Sequence, residues 1–480
     1  MRRARETRPA RGAGFTLIEL LVTMVVVALT LGAAVGLFNS MNKLSRVQLH
    51  TAEMQQSVRV AQREVGRLVQ MAGRGGLAGQ NNVGGAYDTP AVSVRDNVGV
   101  AAPFLDRGVA PDNADSPLAV AGTDILSIRG AFDSSVFHIN YADRSQFNGA
   151  ARTVILGSRT PTGIPQDLRP IKWSCDPPDG TGEKREALIL VNAVNEEGYA
   201  VVELDCARTD HASIPDDFDP NALFTQHTIA FFLPGDGGDV HAADYAGLTP
   251  NGANPVITGN FNPSFLGLLE EYRFYVREQC RTLEGAQVDC PDPPDPAVRP
   301  AHRLSMARMF PGTDVPWGDN NQNMSLDLSD SIFELQVALG FDSSYDGAAS
   351  INGFFNLDAD NLPGTGEPGD DDSIVETDGG GSDDWLFNGF GDNQAHFAAL
   401  PWTPTGAPPA FTAEQPQPRL YFLRLSTLGF TARPDRGYSA PLINRIENHD
   451  LTSSDLINGD LARPHRRELL QTVIDMRNLG

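Results

Sequence analysis

Between Arg308 and Arg419 the chain has no lysine or arginine, although nineteen aspartates and glutamates fall there. The 480 residues carry a formal charge of −24, while the segment before Phe15 runs the other way, with Arg2, Arg3, Arg5, Arg8 and Arg11 against Glu6. The remainder is therefore at −28 (−24 minus the +4 of that segment). A surface of that sign repels phosphate backbones, which argues against a nucleic-acid partner. Catalytic signatures are missing too. There is no G-x-S-x-G, H-E-x-x-H, P-loop or Rossmann fingerprint, and the nine histidines are scattered. Ser40-x-x-Lys43 reads as polar membrane interface, and the acidic GDGGD at 235–239 as a turn, since its carboxylates would oppose a phosphate. The sequence therefore points away from an enzyme.

Cysteine is scarce, with Cys175, Cys206, Cys280 and Cys290 in all and no C-x-x-C among them. In an exported body the default reading is two disulfides. Three connectivities are open, and nearness in sequence favours 175 with 206 and 280 with 290. A zinc site using Cys206 and His211 lacks tightly paired ligand spacing. Proline is absent between Pro9 and Pro90, so nothing forces a helix break there. Residues 15–38 hold one charge, Glu19, in 24 positions, long enough for a helix crossing a bilayer core of about 30 Å. Five preceding arginines place the N-terminus in the cytoplasm. A secretory signal fits less well, because the apolar run is long and no A-x-A-like site follows.

The segment Gly14-Phe15-Thr16-Leu17-Ile18-Glu19, basic before and apolar after, resembles the class III signal of type IV pilins and type II secretion pseudopilins. The resemblance implies a leader of residues 1–14, cleavage after Gly14 by a prepilin peptidase, N-methylation of Phe15, and a mature chain whose fifth residue is Glu19. A carboxylate inside a bilayer costs a few kcal/mol unless partnered. The freed amine of a neighbouring Phe15 is a suitable partner, which would make Glu19 a register key in a helix bundle. Gly32 and Gly36 form a G-x-x-x-G in the same span.

Past the membrane, Leu44, Val47, Thr51, Met54, Val58, Ala61, Val65, Leu68 and Ala72 recur at spacings of three and four, one face of a helix that ends at Gly73, Gly75 and Gly76. A free coiled coil is the structural alternative, but paired e/g charges are missing. Short β segments follow: 122–130, 187–194, 199–205, 227–233, 271–278, 331–342 and 419–430. The expected fold is α+β and type IV pilin-like, one long N-terminal helix on a mainly antiparallel sheet with long loops. The expected parts are the leader 1–14, a membrane helix 15–38, its amphipathic continuation 39–72, and an exported β-rich body 73–480 with an acidic Gly/Pro-rich insertion near 343–418.

REVGRLVQMAGRGG, GTDILSIRG, DSIFELQVALGFD and RRELLQTVIDMRN are similar, in order, to patterns of the large PilW-type minor pilins. That resemblance implies an inner-membrane protein, single-pass, that joins other minor pilins and the major pilin through its helix. It would prime polymerisation at or near the tip of a type IV pilus that serves adhesion and twitching motility. A GspJ-like pseudopilin and a tip adhesin-type binding module are the alternatives. In the acidic insertion, Asn356, Asp358, Asp360 and Glu367 take positions 1, 3, 5 and 12 of an EF-hand-like loop suited to Ca²⁺. Asn361 stands where the turn glycine belongs, however, and a solvated loop is the competing reading. No other cofactor is expected.

Overall fold

The computed structural model describes residues 16–75, 91–95, 119–132, 136–139, 150–176, 186–192, 199–233, 263–282, 286–288, 297–312, 325–342, 384–387, 419–435 and 437–476 except Leu461, with 77, 98, 147–148, 236–237 and 290. Contacts divide the chain into two units, Met1–Glu53 and Met54–Gly480. Helix Leu17–Val69 supplies the described structure of the first unit. Its side chains there are almost all exposed, among them Leu17, Val25, Leu31 and Phe38.

Within the second unit the helix turns one stripe inward. Met54, Val58, Ala61, Gln62, Val65, Leu68 and Val69 are buried, the three-and-four spacing of an amphipathic face. The helix stops where Gly73 and Gly75 take φ of 77° and 104°, a left-handed conformation that glycine adopts without a Cβ penalty. The following turn docks on the sheet: Gly73 N–H donates to the Arg129 carbonyl at 2.9 Å, and Ala131 N–H to the Arg74 carbonyl at 2.7 Å.

Two antiparallel sheets receive that stripe. Among the described residues the larger has eleven strands, and the fifteen-residue strand Pro263–Arg277 is its hub. It pairs with Ile125–Gly130, Phe137–His138, Ala187–Asn192 and Arg303–Met309. The smaller sheet orders Asp384–Phe387, Ile332–Asp342, Arg419–Phe430 and Arg467–Asp475 side by side. One apolar cluster joins Val58, Ala61 and Val65 to Ile128, Ile189 and Val201 of the large sheet and to Leu335, Val337, Leu425 and Ile474 of the small one. The opposite face of the large sheet buries a second cluster, with Leu188, Leu190, Ala200, Val202 and Leu204 under Ile171 and Ile214. Alternation thus sends neighbouring residues of one strand into different cores, and strand Tyr199–Asp205 is buried throughout.

The expected α+β architecture is the observed one, an N-terminal helix with a mainly antiparallel β body. Several limits differ. The helix ends at Val69 rather than 72. The strand expected at 271–278 begins at Pro263, and strands Val92–Arg95, Thr153–Gly157, Arg303–Met309, Ser325–Asp330 and Arg467–Asp475 were not among the segments read as β. Disulfides join Cys175 to Cys206 and Cys280 to Cys290, and no described cysteine is free.

Candidate assembly segment

Helix Leu17–Val69 begins with Thr16, whose side chain and backbone meet Glu19 in both directions. The Glu19 Oε2 accepts from Thr16 N–H and from its hydroxyl, each at 2.9 Å, and Glu19 N–H donates to Thr16 Oγ1 at 3.3 Å. This is the reciprocal T-x-x-E capping box, which satisfies amide donors that a helix leaves unpaired in its first turn. It also sets a negative charge at the positive end of the helix dipole. Glu19 therefore holds a local partner within its own chain, which lowers the desolvation penalty of a carboxylate in lipid. Oε1 makes no hydrogen bond among the described residues, so one oxygen remains for a second donor.

Further hydroxyls in the apolar run are absorbed by the helix. Thr23 Oγ1 donates to the Glu19 carbonyl, and Thr30 Oγ1 to those of Val26 and Val27 at 3.0 and 2.9 Å. The most apolar stretch of the helix is long enough to cross a membrane, and none of it is buried. At Gly32 and Gly36 a Cβ would meet nothing within 4 Å, so the small-residue face is open to another helix.

Residues 10–35 match the prokaryotic N-terminal methylation motif. The motif is the prepilin-type signal of type IV pilin-like proteins and pseudopilins, structural subunits of pilus or secretion assembly that a prepilin peptidase processes. With one apolar N-terminal helix, the chain fits a single-pass protein anchored in the inner membrane. Neither a curated protein nor a solved structure matches the chain.

Gly14 and Phe15 lie outside the described residues, as do Asn356, Asp358, Asp360 and Glu367. Two features of the helix escaped the sequence reading. Thr16 as the cap of Glu19 was legible in T-L-I-E. Gln62 was not, because a glutamine on an apolar stripe reads as a break in it. Its Nε2 donates to Thr427 Oγ1 at 2.8 Å and the Leu470 carbonyl at 2.7 Å, and its Oε1 accepts from Thr472 Oγ1 at 2.6 Å. Ser57 adds a bond to Ser329 at 2.7 Å. Apolar packing tolerates sliding, whereas these bonds fix the register of residues 54–69 on the sheet.

Proposed function

We propose that the chain is a PilW-type minor pilin. Cut after Gly14 and methylated at Phe15, it enters a type IV pilus through its helix and helps a minor-pilin complex prime polymerisation at or near the fibre tip. The match of residues 10–35 to the methylation motif, at the mouth of an exposed apolar helix, supports the prepilin-type part of this reading, and the PilW-type part rests on the resemblance of the four later segments. The N-terminus would lie in the cytoplasm and the β body in the periplasm, then at the cell surface. In the fibre, the free Oε1 of Glu19 would take the N–H⁺ of a neighbour's Phe15 while Oε2 keeps the cap on Thr16.

A deletion strain scored for sheared surface pili, for secreted enzymes and for adhesion tests the reading. Loss or sharp reduction of pili is expected. Normal pili with blocked secretion would instead make the chain a pseudopilin, and normal pili that no longer adhere a binding module.

A further inference from the structure

Among the described residues of the second unit, large apolar side chains seldom reach the surface, and where they do they are not spread evenly. From Met54 onward ten are exposed among the described residues, and five of these come from two stretches: Ile164 and Trp173, then Phe218, Leu223 and Phe224. Contacts link them into one patch. The Arg169 guanidinium lies 5.2 Å from the Trp173 ring and 5.8 Å from that of Phe218. Arg159 donates to the carbonyls of Pro220 at 2.7 Å and Ala222 at 3.0 Å, and to that of Gly163 at 3.1 Å, which ties the turn bearing Ile164 to the loop bearing Leu223. Phe224 closes over Gly157, where a Cβ would come within 2.6 Å of its ring.

The patch is held rigidly. Beneath it Ile171 and Ile214 are buried in the cluster on the sheet face opposite the one that packs against Val58 and Val65. Helix Arg169–Cys175, which carries Trp173, is bonded through Cys175 to Cys206 at the end of strand Tyr199–Asp205. A preordered apolar surface loses little side-chain freedom on binding. Its exposure is costly unless something covers it.

Charge decides what that is. Arg169 is already matched by Asp167 at 2.7 Å, and Lys172 by Asp216 at 2.7 Å. Exposed Asp217 and Asp219 flank Phe218. Set against Arg159, whose guanidinium meets only carbonyls in the contacts above, the rim of Arg159, Arg169 and Lys172 with Asp167, Asp216, Asp217 and Asp219 carries a net charge of −1 (+3 and −4). An acidic rim repels anionic lipid and phosphate and attracts cations. We propose that this patch is a docking surface for a protein segment that is aromatic or aliphatic at its centre and carries lysine or arginine at its flank. The proposal stands whichever assembly the N-terminal helix enters.

Panning the full chain, reconstituted in phosphatidylcholine nanodiscs, against a random-peptide phage library tests it. Enriched peptides should combine apolar residues with Lys or Arg. Their synthetic forms, followed by fluorescence anisotropy, should bind about tenfold more weakly to Leu223→Asp. Leu223 is 88% exposed, so this variant should keep its melting temperature. Asp217→Asn with Asp219→Asn should weaken binding at low salt and have less effect at high salt. The proposal is overturned if no peptide is enriched, if the enriched peptides lack basic residues, or if Leu223→Asp binds them unchanged. Capture of phosphatidylglycerol vesicles that Leu223→Asp abolishes would also overturn it, in favour of a lipid surface.

Discussion

The Glu19 carboxylate caps its own helix, and in the proposed fibre it would also meet a cation from a neighbouring subunit. A Glu19→Ala chain should still be cut and methylated, because the cleavage site is intact, but should be recovered in sheared pili at a small fraction of the wild-type level. Incorporation at the wild-type level would remove the register role. A second residue, His302, contributes to the pH response of stability. His302 is fully buried, with Nδ1 accepting from Gln279 N–H at 3.2 Å and its ring edge-on to Phe333 at 5.1 Å. Burial pushes its pKa from 6.5 down to about 4. Burial lowers His227 and His465 as well. The unfolded chain thus binds a proton on His302 below 6.5 while the folded chain does not, so that contribution to stability is full above 6.5 and is lost as pH falls toward 4; His227 and His465 act in the same direction. For His302 the gap corresponds to on the order of 3 kcal/mol. Glu334 works in the opposite sense, since burial raises its carboxyl above 4.5 and the folded chain gives up stability as pH rises above that value. Urea unfolding of His302→Gln at several pH values should show a shallower decline between 6.5 and 4, and an unchanged slope would show that His302 is not the group responsible.

At the scale of elements, the helix rests on the small sheet where a side chain is missing. A Cβ on Gly429 would come within 2.4 Å of Val58 Cγ2 and 3.5 Å of Met54 Cγ. Strand Arg419–Phe430 thus places a glycine one residue before its end, which lets the helix approach. Gly429→Ala should cost about 1–3 kcal/mol through overpacking. Adding Val58→Ala should recover part of it, a coupling that a double-mutant cycle of melting temperatures measures. Gln62→Leu should destabilise by a similar amount despite its larger apolar surface, since it strands the hydroxyls of Thr427 and Thr472. Strands were legible where local composition agreed with burial: Tyr199–Asp205 and Arg419–Phe430 have the limits read from sequence. Arg303–Met309 hid because it carries charge, and its two arginines are ion-paired, Arg303 with Asp327 at 2.6 Å and Arg308 with Glu270 at 2.8 Å. The first half of Pro263–Arg277 hid behind a proline, a glycine and three leucines, none a strand signal.

For the molecule as a whole, the two disulfides close loops of different size. Cys175 and Cys206 are 31 residues apart, Cys280 and Cys290 only 10. Loop entropy makes the first worth about 4 kcal/mol and the second about 3. The Cys175→Ser, Cys206→Ser pair should therefore lower the melting temperature more than Cys280→Ser, Cys290→Ser. The order should hold in scanning calorimetry of the full chain. The sequence by itself determined the apolar helix at residues 17–38, its start beside a basic segment, and the motif at its mouth, because each depends only on neighbours along the chain. Short β-branched and aromatic runs likewise marked a β-rich body, though not all of its strands. Only the tertiary structure decided that Gln62 belongs to the buried stripe, that Gly429 receives Val58, and that Ile164, Trp173, Phe218, Leu223 and Phe224 form one exposed surface. Those outcomes follow from sheet register, which brings together residues up to 410 positions apart, and no local pattern encodes that distance.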